Sequence, residues 1–192
     1  MPSQFLRSTR TPLALGGLAF AGPVGGAPAP NGPVLLGFRM QPQVHSNWCW
    51  AATGVSTDRY YRPASALTQC SVANLVTGST SCCQSPGPCN QQRSLNLVLA
   101  RLNCLAPNGF ITGHLTFAQL RTYLVARKPV AARIEWSGGG GHFVVLDGVE
   151  VAGGVQYVTV RDPASGTTRV AYSTFCTAYR GSGTWTHSYL TQ

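Results

Sequence analysis

Acidic side chains are scarce in this 192-residue chain, with five Asp and Glu in all against thirteen Arg and a single Lys. Charged residues make up only 10% of it, well under the usual quarter, and the net charge is +9. The arginines are scattered from Arg7 to Arg180 and nowhere gathered into a basic cluster with interleaved aromatics. That distribution argues against a nucleic-acid partner and for a sparsely charged basic secreted protein. No apolar run approaches the ~18 residues needed to span a bilayer, and there is no internal repeat. No paired CxxC spacing occurs among the cysteines, so a zinc site, even one drawing on His114, is not expected. No metal and no cofactor is expected.

What the chain does have is glycine, proline and cysteine. Residues 1–34 read as a signal peptide or a Gly/Ala/Pro leader. Met1 to Arg10 carries two arginines and no acid, Pro12 to Phe20 is apolar, and Ala19-Phe20-Ala21 fits a small-x-small cleavage pattern. Residues 22–34 are a Gly/Pro linker that cannot build a core. Residues 35–192 are long enough for one folded domain. The seven cysteines are an odd number. If Cys49 stays reduced, Cys70, Cys82, Cys83, Cys89, Cys104 and Cys176 can close as three disulfides, which favours an oxidising, secreted or periplasmic location. Adjacent Cys82 and Cys83 are expected to bridge different partners, and Cys104 to tie a helix to the Cys-rich loop at residues 78–90.

The most informative stretch runs from Gln43 to Ala52, with Cys49 between Trp48 and Trp50 just ahead of a helical pattern that ends at Arg62-Pro63. A thiol on the first turn of a helix faces unpaired N–H groups and the positive end of the macrodipole, which favours the thiolate. Gln43, six residues upstream, carries an amide N–H2 that can be aimed at a developing oxyanion.

The remaining elements come in two blocks. Helices are expected at residues 68–76, at 93–103 with Leu95, Val98, Leu99 and Leu102 on one face, and at 116–127 behind a Thr116–Gln119 capping box. Strands follow at 130–136, 141–149, 155–163, 167–172 and 184–189. The class is therefore α+β, a helical half facing an antiparallel sheet half.

A base must come from four histidines. His142 opens a strand directly after a bare glycine run, which leaves room for a substrate to approach. The next strand ends in Asp162-Pro163, and an acid there can orient an imidazole. With a three-residue hairpin loop at Ala152-Gly153-Gly154, Val151 pairs with Val155 and Asp162 lies diagonal to His142 on the same face. A two-residue loop puts them on opposite faces unless a bulge intervenes. Asp147 reads as a turn residue before Gly148. His45, His114 and His187 have duller readings, as loop or packing residues.

Three separated pieces, Gln43 with Cys49-Trp50-Ala51-Ala52, Gly141-His142-Phe143-Val144-Val145, and Asp162-Pro163, together resemble a papain-like cysteine protease. They are most similar to the bacterial branch that has an SNWCWAA-type box and includes effector proteases of plant pathogens. The resemblance covers residues 36–190. It implies a papain-like fold, with Cys49 heading the central helix and His142 coming from a barrel-like sheet. It also implies Asp162 as the orienting residue and Gln43 in the oxyanion hole. The expected activity is endopeptidase, acting on a protein or peptide as a monomer, with Trp48, Trp50, Gly140 and Gly141 touching substrate. Asn47-Trp48 before the cysteine and Asp in place of Asn at 162 depart from the family pattern, and so short a chain has little room for long substrate-binding loops. Two other readings use the same residues: an amidase, acyltransferase or transglutaminase-like toxin working through the same thioester, and a disulfide-rich secreted binding module without catalysis.

Overall fold

A computed structural model of the chain describes residues 32–192. The expected signal peptide, its cleavage point and nearly all of the linker lie outside the described residues. The first strand, β1 (Val34–Leu35), pairs with Val149 and Gly148 in the sheet. Helices α1 (Cys49–Tyr61), α2 (Gln69–Thr77) and α3 (Leu95–Arg101) follow. Next come β2 (Leu105–Thr112), α4 (Phe117–Val125), β3 (Val130–Trp136), β4 (Gly141–Ala152), β5 (Val155–Asp162) and β6 (Gly166–Ala171), then α5 (Tyr172–Ala178) and β7 (Gly183–Thr191). The strands form one antiparallel sheet in the order β2-β7-β3-β4-β5-β6, with β1 paired to β4. The sheet is open rather than closed into a barrel, and the class is α+β, as expected.

Strand alternation divides the interior in two. Ala131, Phe143, Val145 and Tyr189 face the helical half, where they pack with Trp48, Trp50, Val55, Val98 and Leu99. Val130, Ala132, Ile134, Val144 and Leu146 face the other way, against Leu120 and Leu124 of α4 and Phe175 of α5. Each of β3 and β4 therefore serves two cores, and its near-continuous apolar run follows from burial on both faces. Helix α1 is enclosed on all sides, buried from Cys49 through Asp58. Its Gly54 permits that closeness: a Cβ there would stand 2.7 Å from Val98 Cγ1.

Strand β1 and two longer elements escaped the sequence reading. Strand β2 contains Pro107, Asn108 and Gly109, ordinarily turn residues; an edge strand tolerates them, and its pairing with β7 is irregular between Leu105 and Phe110. Helix α5 contains Thr174 and Thr177, which are poor helix formers, but burial of Phe175 and Cys176 overrides that weak preference. The α4 capping box forms as expected, Gln119 N–H donating to Thr116 Oγ1 at 3.2 Å and Thr116 N–H to Gln119 Oε1 at 2.9 Å.

The cysteines need a correction. Two disulfides form, Cys70–Cys83 and Cys82–Cys89, so the adjacent pair does bridge different partners. Cys104 and Cys176 are free and buried, as is Cys49. Cys104 belongs to the core on the helical side of the sheet and Cys176 to the core on the opposite side. A bridge needs Cα atoms within about 7 Å, and the sheet stands between them. Cys104 instead accepts a hydrogen bond from Arg62 at 3.1 Å.

The β4–β5 hairpin also differs from expectation. Ala152 pairs with Val155, so the loop is the two-residue turn Gly153-Gly154, both at positive φ, which suits a type I′ turn. The parity lost there is restored by a bulge between Leu146 and Gly148, after which Leu146 pairs with Val160 and Val145 with Arg161. The bulged residue is Asp147, a wholly buried acid and not a turn residue. Its carboxylate accepts the Phe38 N–H at 3.0 Å and Arg161 Nε at 2.9 Å, which fixes the extra residue in place.

Candidate active site

Cys49 is the first residue of α1, so its own N–H has no acceptor within the helix. The chain reaching it is held by the stapled loop. Trp48 Nε1 donates to Cys89 O at 3.0 Å and Trp50 Nε1 to Gln91 O at 2.9 Å. Asn47 adds two bonds to Asn90, from its N–H to Oδ1 and from Nδ2 to O, both 2.9 Å. Both indoles are 0% exposed. Trp48 thus has no surface to offer a substrate, contrary to expectation; Trp50 has none either, although it stands in the wall of a cleft. The Cys-rich loop is the mould for the cysteine box, a role that spacing alone does not reveal.

His142 is the second residue of β4 and is buried, with the Asp162 carboxylate hydrogen-bonded to its ring and Cys49 near enough to raise its pKa. Nε2 lies 2.8 Å from Asp162 Oδ1. Burial pulls the imidazole pKa down, but the bond to Asp162 and the influence of Asp162 and Cys49 outweigh it and raise it to about 9. Asp162 is 1% exposed. Burial alone would raise its pKa, but the His142 bond and charge and the Ala164 N–H hold it well below the usual carboxylate range. Its oxygens are saturated: Oδ1 also accepts Ala164 N–H at 2.8 Å, Oδ2 accepts Tyr179 OH at 2.9 Å, and Arg180 Nη1 stands 3.6 Å from Oδ2. The Trp136 ring stacks near both His142, at 6.2 Å, and Tyr179, at 6.4 Å. Tyr179, Arg180 and Trp136 were not singled out from sequence, because only pairing and the unforeseen α5 bring them here.

Gln43 reaches this neighbourhood through its backbone, its N–H donating to Pro163 O at 2.9 Å, one residue past Asp162. Its side-chain Nε2 donates to His45 O at 3.1 Å and Ser46 O at 2.9 Å, while Oε1 is buried without a partner. An oxyanion arriving here would compete with those two carbonyls for the amide hydrogens.

A cleft of about 330 Å³ opens beside Cys49. Its sheet-side wall is a cross-strand row, Phe143–Arg133–His187, backed by Tyr189 and Phe110. Gly141 lines it, and Gly140, at φ +86°, has open space around it. His187, dull by sequence, stacks on Phe110 with ring centroids 5.5 Å apart. Among the described residues no helix is long and apolar enough to cross a membrane.

The arrangement has a thiol at a helix start, an imidazole near it, and a buried anion behind the imidazole. It suits nucleophilic attack on a carbonyl with proton transfer by the imidazole. Among curated proteins none matches the chain. A family model described as papain-like cysteine protease AvrRpt2, a bacterial effector family, matches residues 34–180. That span holds the helical half and every strand but the last, and the chain therefore belongs to this family and is a papain-like cysteine peptidase.

Proposed function

We propose that the protein is an endopeptidase in which Cys49 is the nucleophile, His142 the acid–base group and Asp162 the residue that orients it. The observation that carries this reading is the buried His142 ring, with Nε2 2.8 Å from Asp162 Oδ1 and Cys49 near enough to raise its pKa. With Nε2 given to Asp162, Nδ1 is the ring nitrogen left for the thiol. His142 takes the thiol proton, and the thiolate attacks the peptide carbonyl carbon. The oxyanion is stabilised by the Cys49 N–H and by Gln43, once its amide leaves the His45 and Ser46 carbonyls. The C–N bond breaks as His142 returns the proton to the leaving amine, and a thioester remains. Water, losing a proton to His142, attacks the thioester; the thiolate departs and the acid product is released.

The two disulfides support maturation in an oxidising compartment, outside the cell or in the periplasm. The test is hydrolysis of a quenched peptide library, with labelling by a thiol-directed epoxide mapped by mass spectrometry. Cys49→Ala is expected to abolish both, and hydrolysis that persists in that variant sinks the proposal. Cys104 and Cys176 are the internal controls, since burial raises both thiols and keeps them unreactive.

A further inference from the structure

We infer that Arg133 makes this peptidase selective for a substrate carrying a glutamate side chain in the cleft beside Cys49, an inference that rests on the peptidase reading above. Arg133 sits in the middle of β3, between Phe143 on β4 and His187 on β7, so its side chain rises from the cleft wall. One edge of the guanidinium is already fixed: Nη1 donates to Glu135 Oε2 at 3.0 Å and to Thr186 Oγ1 at 2.9 Å. The other edge, Nε and Nη2, has no hydrogen-bond partner among the described residues, although the side chain is only 27% exposed. This edge is open to the cleft, and a planar Nε–Nη2 edge matches a carboxylate with two parallel bonds.

Gly141, next to His142, keeps the group in reach of the reacting centre. A Cβ there would stand 3.1 Å from both Nε and Nη2, so a side chain at this position would press the guanidinium away by a few tenths of an ångström. The rest of the lining favours glutamate over a bare anion. Phe110 and Tyr189, with centroids 5.5 Å apart, offer an aromatic wall to the methylene stem. Arg93 also lines the cleft, and no Asp or Glu does. The guanidinium edge supplies specificity rather than chemistry, and Arg133 is a binding residue.

The experiment compares quenched peptides that differ only in Glu, Gln or Leu at each position N-terminal to the cleaved bond. Wild type is expected to favour Glu over Gln by about tenfold or more in kcat/KM at one position. Arg133→Gln should shrink that ratio below about twofold, and Arg133→Lys should retain part of the preference. Equal rates for Glu and Gln in wild type, or a preference that survives Arg133→Gln, overturns the inference; the wild-type comparison needs no variant to fold. A second arm measures binding of the same peptides to Cys49→Ala by fluorescence anisotropy. Tighter binding of Glu in the absence of any wild-type hydrolysis supports the site while removing the peptidase reading, and equal binding removes the site. Peptides with free and amidated C-termini complete the set. Discrimination that follows the terminal carboxylate instead of the glutamate overturns the side-chain assignment.

Discussion

His142 Nε2 and Asp162 Oδ1 stand 2.8 Å apart on adjacent strands, in a register that exists because Asp147 is one residue too many in β4. The anion behind the ring is what lifts the imidazole to about 9 against the pull of burial. Asp162→Asn keeps an acceptor for the ring but removes the charge. The alkaline limb of kcat/KM is therefore expected to move down from about 9 by about one pH unit or more. Asp162→Ala, which removes the acceptor as well, should cut kcat by about 10²–10⁴.

The same pair makes stability depend on pH. His142 is raised in the folded state, so its contribution is complete below the ordinary value of 6.5 and is lost as pH rises through about 9. Asp162 is depressed, so its contribution is present above its ordinary 3.8 and is lost as acid protonates the folded carboxylate. The gap in Tm between wild type and Asp162→Asn should be widest between those limits and close above pH 9. A gap that is flat through pH 10 contradicts this.

Opening the Cys82–Cys89 bridge should disable the site without touching it. That bridge anchors the segment whose carbonyls hold both indoles of the cysteine box. The double variant Cys82→Ser, Cys89→Ser is expected to lose about 2–4 kcal/mol of stability. It should also lose most peptidase activity at temperatures where it is still folded by circular dichroism, because Cys49 is no longer held at its helix start.

Gly54→Ala tests the enclosure of α1. Propensity alone favours alanine by about 1 kcal/mol. The added methyl would stand 2.7 Å from Val98 Cγ1 and 3.3 Å from Leu102 Cδ1. Overpacking costs about 1–3 kcal/mol, so a net loss in denaturant midpoint is expected. A gain in stability would mean that α3 can move aside freely.

Asp147→Ala should be the most damaging of these changes to the fold. It strips the Phe38 N–H of its acceptor and leaves Arg161, only 18% exposed, without its ion pair. A loss of about 3 kcal/mol or more is expected by urea unfolding. With the bulge no longer pinned, activity should fall faster than stability, since His142 and Asp162 then share no fixed register.

Local chemistry made much of this protein legible in its sequence. The helix beginning at Cys49, the α4 capping box, the apolar strands 130–136 and 141 onward, and the α+β class all follow from period, caps and turn residues within a few positions of each other. So did the candidates Cys49, His142 and Asp162, since a thiol at a helix start, a histidine after a glycine run and an acid at a strand end are local signals. Tertiary structure decided what depends on distant partners. It closed the β4–β5 turn in two residues and placed the compensating bulge at Asp147, because a buried carboxylate with two donors stabilises an extra residue there. It also left Cys104 and Cys176 apart, on opposite faces of one sheet. Finally, it converted the tryptophans from expected substrate contacts into anchors and put Arg133 in the cleft instead. Spacing along the chain says which residues can act; which face each one occupies is set by pairing and burial.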